Sequence, residues 1–523
     1  MIASLGALPR FVASAVADAV DAMPPPIRER VCWLRDGPPG PRWHSFDRTP
    51  WKHPWLTPEH LRAARDFSAV IRNEAEGVAA NGAAEGFRYG FVGNIANNLY
   101  MRAAPLRKRG LAIDVIGAYG DRYVMSQPGW EELDDAVPDG ISTIDDLTAH
   151  GIALPEVPGT YQYDVTGEWA SARLRHLPQF VRLRDFLQSR LYLSHLPTLV
   201  GLQQYDALLV CQVPYLGYLS GKHYLATQSG GDIWYESSRD DQLGRLQRWG
   251  FAHATAFLVS NPWSFAHARR FGLRNLVYLP LILDEEKYSP GDSDFREEWR
   301  QRTGGSFFVL STARLDDTFK GSTVGLLGFA ALAKEVPGAR LVLIGWGDDK
   351  ARLIARLRDL GITDRTLILP VSGKRRLIDY LRASDCLLDQ FVLGYFGATA
   401  LEAMAVGLPV IMRLERAQYA ALCATGAPPV LEATTPEDVC AHVRQLHQSR
   451  ELHATLRLDH RAWFLQNHAA SRWAGVYRAM LAAAAVGHQF RFHDSPLGAP
   501  LGHEELEYHA AELQAAPTFP NYT

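Results

Sequence analysis

Two cations and a carboxylate follow short apolar runs in the carboxyl-terminal half of the chain. Arg314 and Lys320 come after the run at 307–310, and Glu402 comes after a glycine-containing loop. Guanidinium and ammonium groups bind phosphate, while a carboxylate accepts hydrogen bonds from hydroxyl groups. This set of side chains indicates a ligand that carries both phosphate and hydroxyls.

The elements that must position these side chains are short strands separated by helical patterns. We predict strands at 307–310, 341–344 and 386–388. Their alternation with helices indicates parallel βαβ units, whose ligands bind beyond the carboxyl ends of the strands. Gly345, Gly347 and Gly397 follow those ends and permit close approach of the backbone to a ligand. The fold class is therefore predicted to be α/β.

Three motifs in this region resemble a known family. They are Arg-Leu followed by Lys-Gly at 314–321, Leu-Ile-Gly-x-Gly at 343–347, and Phe-Gly-x-x-x-Leu-Glu-Ala-Met-Ala-x-Gly-Leu-Pro-Val-Ile at 396–411. This order resembles the retaining, nucleotide-sugar-dependent glycosyltransferases of family 4. The resemblance is dense over 307–413, continues more weakly from about Tyr89, and does not cover about 1–80 or the last thirty or so residues. It implies the GT-B fold, in which two Rossmann-like parallel-sheet domains face a cleft and a carboxyl-terminal helix packs back on the first domain.

The resemblance also implies roles for individual residues. The donor diphosphate is expected on Arg314, Lys320, Gly397 and Thr399. The nucleotide is expected on Gly345, Gly347, Val371 and Glu402. Gly93 and Asn94 form a loop that is expected to face the cleft. No protein nucleophile is implied, because retention in relatives is explained by front-face attack assisted by the leaving phosphate.

One position departs from the family pattern. Relatives carry a second glutamate, which normally contacts the transferred sugar, where this chain has Gly394. Asp389, at the predicted strand end, is our candidate to reach the same space. Asp232, in a Gly-Gly-Asp turn, is our candidate for contact with an acceptor hydroxyl. These two carboxylates are the catalytic residues that we predict.

Each of these residues also has a purely structural interpretation. Arg314 and Lys320 could be exposed loop cations, and Glu402 could cap its helix. Asp232 could be the N-cap of a turn. Gly93 and Asn94 suit an ordinary strand-to-helix turn equally well.

Length and composition limit the possible classes. The chain has 523 residues, 47% apolar residues and a net charge of −3, which predicts two to three domains and does not favour nucleic acid as a partner. We predict an amino-terminal extension at 1–80, an acceptor-side domain at 81–285, a nucleotide-sugar-binding domain at 286–470, and a helix and tail at 471–523. Five scattered cysteines indicate a reduced, cytoplasmic setting, and no metal site, signal peptide or membrane span is predicted.

The stretch 167–196 is basic and amphipathic. Arginines alternate with leucine, valine and phenylalanine there, and Pro178 divides it into two helical pieces. Such a helix can lie on an anionic membrane, or can cover a sheet with its basic face in water. Because many relatives use lipid-linked acceptors, we expect peripheral contact with the inner face of a membrane as one alternative.

The function predicted from these observations is transfer of a sugar from a nucleotide donor to an acceptor hydroxyl with retention. No cofactor is expected besides the nucleotide-sugar co-substrate, whose base the sequence does not identify. A non-catalytic member that keeps the fold for binding is the alternative that Gly394 motivates. A GT-B epimerase or phosphorylase is the third possibility.

Overall fold

The computed structural model describes residues 56–80, 86–117, 123–161, 198–238, 242–347 and 349–496. The basic stretch 167–196 and residues 1–55 of the predicted extension lie outside these ranges. Membrane contact through 167–196 therefore stays a prediction. No helix within the described ranges has both the length and the apolar character needed to cross a membrane.

The amino-terminal lobe contains a seven-stranded parallel sheet with the order β3-β2-β1-β4-β5-β6-β7. Its strands are β1 (Arg88–Val92), β2 (Ala112–Ile116), β3 (Thr160–Tyr161), β4 (Ala207–Cys211), β5 (Tyr224–Thr227), β6 (Ala256–Val259) and β7 (Leu276–Tyr278). Every residue of β4, β5 and β6 is buried, because helices cover both faces of the sheet.

The carboxyl-terminal lobe contains a six-stranded parallel sheet with the order β10-β9-β8-β11-β12-β13. Its strands are β8 (Phe307–Ser311), β9 (Ala339–Ile344), β10 (Thr366–Leu369), β11 (Cys386–Leu388), β12 (Val410–Met412) and β13 (Leu431–Glu432). The two parallel sheets confirm the predicted α/β fold class.

Helices connect the strands and cover the sheets. The α-helices are α1 (Pro58–Val78), α2 (Tyr100–Lys108), α3 (Ile144–Ala149), α4 (Pro214–Ser220), α5 (Gly231–Trp234), α6 (Gln242–Ala252), α7 (Pro262–Arg270), α8 (Phe295–Thr303), α9 (Ser322–Glu335), α10 (Lys350–Asp359), α11 (Lys374–Ala383), α12 (Ala398–Ala405), α13 (Arg416–Leu422), α14 (Pro436–Gln448), α15 (Arg450–Asn467) and α16 (Ala470–Ala485). Short 3-10 turns lie at Ile95–Asn97, Val124–Ser126, Pro128–Glu132, Leu202–Gln204, Glu236–Ser238, Thr363–Arg365 and Phe492–Asp494.

The helix α16 returns to the amino-terminal lobe. Most of the buried residues of α16 share a hydrophobic cluster with the strands and α2 of that lobe. Tyr477 in α16 donates to the carbonyl of Pro280 at 2.9 Å, just before the chain enters the second lobe. This arrangement is the return packing that the family resemblance predicted.

The helix α1 begins with a capped first turn and packs against the amino-terminal lobe. Thr57 accepts the His60 amide and forms a capping box, and Pro58 occupies the first turn. Its buried face packs against α16 and β7, and Arg65 also donates to the carbonyl of Ala421 in the other lobe. The described part of the predicted extension thus touches both lobes.

Candidate functional site

The two predicted phosphate-binding cations lie at the position where the order of strands reverses. β8 and β11 are neighbours in the sheet, although β9 and β10 come between them in the sequence. In open α/β sheets, ligands bind beside the loops that follow two such strands. Arg314 lies in the loop after β8, and Lys320 precedes α9. Lys320 Nζ donates to Gln390 Oε1, in the loop after β11, at 2.8 Å.

Arg314 is oriented by an aspartate in its own loop. Its Nη2 donates to Asp316 Oδ2 at 2.6 Å, and 29% of the arginine side chain is exposed. Asp316 also accepts the amides of Thr318 and Phe319 at 2.7 and 3.1 Å. One carboxylate therefore shapes the loop and fixes the guanidinium at the edge of the sheet.

Asp389 is a buried carboxyl at the end of β11. Only 5% of the residue is exposed, and its Oδ2 has no hydrogen-bond partner among the described residues. Burial raises the pKa of Asp389, and the charge of Lys320 acts in the opposite direction. The structure thus brings Asp389 to the predicted phosphate cation Lys320.

Buried polar atoms without partners follow the carboxyl ends of several strands of this lobe. Among the described residues they include Thr312 Oγ1, Ser372 Oγ, Asp389 Oδ2, Gln390 Nε2 and Glu402 Oε2. All five follow, or lie on the helices after, the carboxyl ends of the second lobe's strands. Since an unsatisfied buried polar atom costs about 1–3 kcal/mol, such a set is typical of a site that a ligand completes.

Glu402 is fully buried and forms an ion pair. Its Oε1 accepts a hydrogen bond from Lys374 Nζ at 2.5 Å, and the glutamate side chain has no exposed surface. Burial raises the pKa of Glu402, against the effect of Lys374. Burial also acts on Lys374, but Glu402 and Glu131 outweigh it and raise the pKa of that ammonium group.

A segment of the amino-terminal lobe covers this part of the site. We name residues 128–139, which follow the turn Val124–Ser126, the strap. The Val137 amide donates to the Val371 carbonyl at 2.7 Å, and the Gly373 amide donates to the Asp135 carbonyl at 3.0 Å. A Cβ atom at residue 373 would lie 2.2 Å from the carbonyl oxygen of Leu133. The loop that contains Val371, where the nucleotide is expected, is thus hydrogen-bonded to the strap.

Charged pairs hold the strap to the other lobe and to the linker. Lys350 pairs with Asp139 at 2.6 Å, and Arg375 pairs with Glu132 at 2.9 Å. Lys287 Nζ lies 3.2 Å from Glu131 Oε2, whose other oxygen is buried without a described partner. The strap therefore places a second carboxylate beside Lys374 and Glu402.

Gly397 and Thr399 lie at the amino-terminal end of α12. Gly397 is the N-cap residue and has an extended backbone. Because glycine has no side chain, it leaves the first amides of the helix without a side-chain cap. The positive end of a helix dipole favours an anion at this position. The geometry agrees with the predicted contact to phosphate, which stays a prediction.

The predicted nucleotide-binding glycines pack against neighbouring loops. Gly347 has φ +112, and a Cβ atom there would lie 2.7 Å from the backbone nitrogen of Leu315. The Leu315 amide donates to the Trp346 carbonyl at 2.8 Å. At Gly345 a Cβ atom would lie 3.1 Å from Ile368. These contacts give both glycines a packing role, and nucleotide contact stays a prediction.

In the amino-terminal lobe, Gly93 and Asn94 form a tight turn after β1. Gly93 has φ +84, and a Cβ atom there would lie 2.0 Å from the carbonyl oxygen of Cys211. Asn94 is buried, and its Oδ1 accepts the amides of Leu99 and Tyr100 at 3.1 and 2.8 Å. The side chain therefore caps the start of α2, and its predicted role in the cleft stays a prediction.

Asp232 holds backbone amides from inside α5, whose N-cap is Gly230 and not Asp232. Its carboxylate accepts the amides of Gln212, Ser229, Gly230 and Ile233 at 2.9 to 3.1 Å. Burial raises the pKa of Asp232, and these four bonds oppose that rise. Because every described contact of this carboxylate is with backbone, contact with an acceptor hydroxyl stays a prediction.

Sequence reasoning missed three residues near the site. Gln212 follows β4 with φ +67, which is uncommon for a residue other than glycine. Lys374 and Glu131 complete the buried charge cluster around Glu402. Their signals were weak, because Lys374 is one of three consecutive cations and Glu131 one of two consecutive glutamates.

Comparison with known proteins bears directly on the carboxyl-terminal lobe. Residues 294–458 match the family described as Glycosyl transferases group 1. Most of this lobe is therefore similar to a group 1 glycosyltransferase domain. Its residues Arg314, Lys320, Asp389 and Glu402 all lie within the matched range.

Curated relatives match over part of their length. Mannosylfructose-phosphate synthase of Agrobacterium fabrum is 29% identical over 163 residues, which are 29% of this chain and 36% of the relative. D-inositol 3-phosphate glycosyltransferase of Rhodococcus erythropolis is 34% identical over 135 residues, which are 24% of this chain and 30% of the relative. The chain thus spans about a third of the curated relatives that it matches.

The fold of both lobes together resembles solved structures of low sequence identity. Anabaena Alr3699/HepE in complex with UDP and glucose has a TM-score of 0.51 and 15% identity, and the match covers 77% of this chain and 100% of that chain. The same protein in complex with UDP-glucose also has a TM-score of 0.51, with 14% identity. This likeness supports the GT-B architecture.

Proposed function

We propose that this protein is a glycosyltransferase that moves a sugar from a nucleotide-sugar donor to an acceptor hydroxyl. The observation that carries the proposal is the set of buried, unpartnered polar atoms after the strand ends of the lobe that holds Arg314 and Lys320. Residues 294–458 of this lobe match the group 1 family, and its strand order reverses between β8 and β11. UDP and UDP-glucose in the structures of a similar fold are consistent with such a donor.

The residues of the crevice suit departure of a nucleoside diphosphate. Negative charge develops on the diphosphate as the bond to the sugar breaks. Arg314 and Lys320 would neutralise this charge together with the first amides of α12, near Gly397 and Thr399. We infer retention of configuration from the family resemblance, with the departing phosphate receiving the proton of the acceptor hydroxyl.

A panel of UDP-, GDP-, ADP- and TDP-sugars in a thermal-shift assay tests the donor. A specific donor stabilises the folded state by mass action, so we expect one base to raise the melting temperature. Lys320→Ala should abolish that rise. Lys334→Ala, which removes an exposed lysine from α9, is the matched control. If none of the four sugars shifts the wild type, the proposed function fails.

The stereochemical outcome needs a separate measurement. Once a donor and an acceptor are found, NMR of the product's anomeric proton distinguishes the α from the β configuration. We expect the configuration of the donor to persist in the product. The inverted configuration would contradict the retaining mechanism and leave sugar transfer itself intact.

A non-catalytic binding subunit is the second candidate, and the covered state of Glu402 favours it. We infer that the strap must move before a ribose reaches that carboxylate. Gly373 has φ −59 and ψ 163, so alanine suits its backbone, but the new Cβ atom would press on Leu133. We expect Gly373→Ala to bind nucleotide about tenfold more tightly, because several strap hydrogen bonds no longer compete.

Gly475→Ala, where a Cβ atom meets nothing within 4 Å, is the control for that substitution. Isothermal titration with UDP and GDP measures the affinity of each variant. Equal affinity of Gly373→Ala and the wild type would contradict the competition between strap and nucleotide. Tight binding without turnover in any donor and acceptor combination would favour the non-catalytic candidate.

Acceptor and membrane roles are also proposals. We propose that the acceptor hydroxyl enters from the amino-terminal lobe, near the loop Gly93–Asn94, and that a lipid-linked acceptor would be met through the stretch 167–196. Sedimentation with anionic vesicles at low salt tests the membrane contact. Failure to sediment would contradict it, and neutral vesicles provide the control.

A further inference from the structure

The space beside Gly394 is filled by the side chain of Glu415. A Cβ atom at residue 394 would lie 2.4 Å from Glu415 Cγ and 2.9 Å from Glu415 Oε1. Glu415 comes from the loop after β12, and its amide donates to the Gly394 carbonyl at 2.6 Å. The glycine therefore makes room for a carboxylate that arrives from the neighbouring strand.

Arg413 fixes one oxygen of this carboxylate. Its Nη2 donates to Glu415 Oε1 at 2.8 Å, while its Nη1 donates to the Val392 carbonyl at 2.8 Å. No described residue is hydrogen-bonded to Glu415 Oε2, and 42% of the glutamate side chain is exposed. The carboxylate is thus oriented through one oxygen and retains the other for a ligand.

A continuous series of hydrogen bonds links Glu415 to the predicted diphosphate site. The Arg413 amide donates to the Gln390 carbonyl at 2.9 Å. Gln390 Oε1 accepts from Lys320 Nζ at 2.8 Å. These hydrogen bonds therefore connect the carboxylate to the ammonium group that is predicted to bind phosphate. A nucleotide sugar likewise has its sugar directly connected to its diphosphate.

The surroundings of Glu415 suit a sugar ring. Glu415 and Gln418 line a small cavity together with Gly394, Tyr395 and Trp263. The Trp263 ring, from the amino-terminal lobe, stacks on Tyr395 with centroids 5.0 Å apart. Carboxylate and amide groups bind hydroxyls, and aromatic faces pack against the apolar face of a sugar.

The cavity is too small for a sugar ring in this structure. It measures about 20 Å³, which is room for one water molecule. Binding of a sugar ring here would therefore require Trp263 and Tyr395, which belong to different lobes, to separate.

We propose that Glu415 accepts hydrogen bonds from hydroxyl groups of the transferred sugar and is a specificity-determining residue of the donor site. This inference rests on the proposed function. It assigns the contact to a carboxylate on the β12 loop, where the sequence alone suggested Asp389. Glu415 binds the sugar and takes no part in bond cleavage.

The test compares a nucleotide sugar with its bare nucleoside diphosphate. UDP-glucose, GDP-mannose, ADP-glucose and TDP-glucose are titrated into the wild type, and the one that binds is used with UDP, GDP, ADP or TDP accordingly. We expect Glu415→Ala to weaken binding of the nucleotide sugar about 10- to 100-fold, the range for a hydrogen bond to a charged group. Binding of the bare diphosphate should stay within about twofold.

A relocated carboxylate separates a role in binding from a role in packing. Gly394→Glu combined with Glu415→Ala moves the carboxylate to residue 394 in the space that the alanine leaves. We expect this double variant to recover most of the lost affinity for the nucleotide sugar. Glu451→Gln, an exposed glutamate of α15, is the matched control and should change neither affinity.

Each outcome decides a different question. Equal loss of affinity for the sugar and for the bare diphosphate would overturn the inference, since Glu415 would then act on the whole site. Unchanged affinity for both would also overturn it, while the proposed function stands. If the wild type binds none of the four sugars or diphosphates, the proposed function fails and this inference fails with it.

Discussion

The two lobes share one kind of sheet but present different chemistry at their facing edges. In the amino-terminal lobe, the buried Asn94 and Asp232 are bonded to backbone groups of their own loops. In the carboxyl-terminal lobe, buried atoms of Asp389, Gln390 and Glu402 lack partners among the described residues. The residues compared here are thus satisfied by their own loops at the first edge, whereas those at the second edge keep buried polar atoms without a described partner.

The same contrast holds at the two positions where the strand order reverses. Between β1 and β4, Gly93 is pressed against the carbonyl of Cys211, so no side chain fits. Between β8 and β11, by contrast, there is room for the side chains of Lys320 and Gln390, which are hydrogen-bonded to each other. Equivalent positions of the two sheets therefore differ in chemistry. We expect substitutions at the first edge to change mainly stability, and those at the second edge to change nucleotide affinity as well.

The largest effect is expected from Glu402→Ala. It leaves the ammonium group of Lys374 buried without its partner, which costs about 3–5 kcal/mol of unfolding free energy. Urea denaturation followed by circular dichroism measures the loss. Glu402→Ala combined with Lys374→Met removes both charges and should recover most of it. A single variant as stable as the wild type would show that the pair does not form.

Asp232→Ala should reduce stability with little effect on the donor. The variant removes the acceptor of four backbone amides, so we expect a loss of about 2–4 kcal/mol. Affinity for nucleotide should change by less than about twofold. Urea denaturation and isothermal titration measure the two quantities. Lost turnover in a variant of unchanged stability would instead give Asp232 a direct role in the reaction.

Lys320→Ala should reduce nucleotide affinity with little effect on stability. The lysine is partly exposed and bonded to a neutral amide, so stability should change by less than about 1 kcal/mol. Nucleotide affinity should fall by about 1.5–3 kcal/mol, or roughly 10- to 150-fold. Lys320→Arg, which keeps the charge, should retain part of the affinity. Equal binding by Lys320→Ala and the wild type would place the diphosphate elsewhere.

The smallest effect is a pH dependence at Asp389. Burial raises its pKa above that of the unfolded chain, so folding loses stability as pH rises through the unfolded pKa toward the folded one. Asp389→Asn has no such loss. We expect the two proteins to be equally stable near pH 3.5, and the variant to be the more stable one at pH 7. A difference that does not depend on pH would contradict this assignment.

Strands that are buried on both faces were predictable from the sequence. β11 has the predicted bounds, because every residue in it is apolar and buried. β10 was not predicted as a strand. It lies at the sheet edge, where Ile368 is 40% exposed, so its sequence lacks the continuous burial of a central strand.

The site was predictable where its residues lie in one motif. The neighbourhood of Arg314 and Lys320 follows from a single βα loop. The partners of Glu402 and Gly394 did not follow, because Lys374, Glu131 and Glu415 meet them only after the strands pair and the lobes close. A pattern within one short segment does not show which distant segments will contact it in the folded protein.

The return of α16 to the first lobe has a consequence for biosynthesis. The ribosome delivers residues 470–485 after every strand of both sheets, yet the first lobe needs them to cover one face. The second lobe can fold from a continuous stretch of chain, so it can form its own sheet while the first still lacks its cover. Until α16 emerges from the ribosome, the first lobe of the nascent chain exposes an apolar surface that a chaperone would recognise.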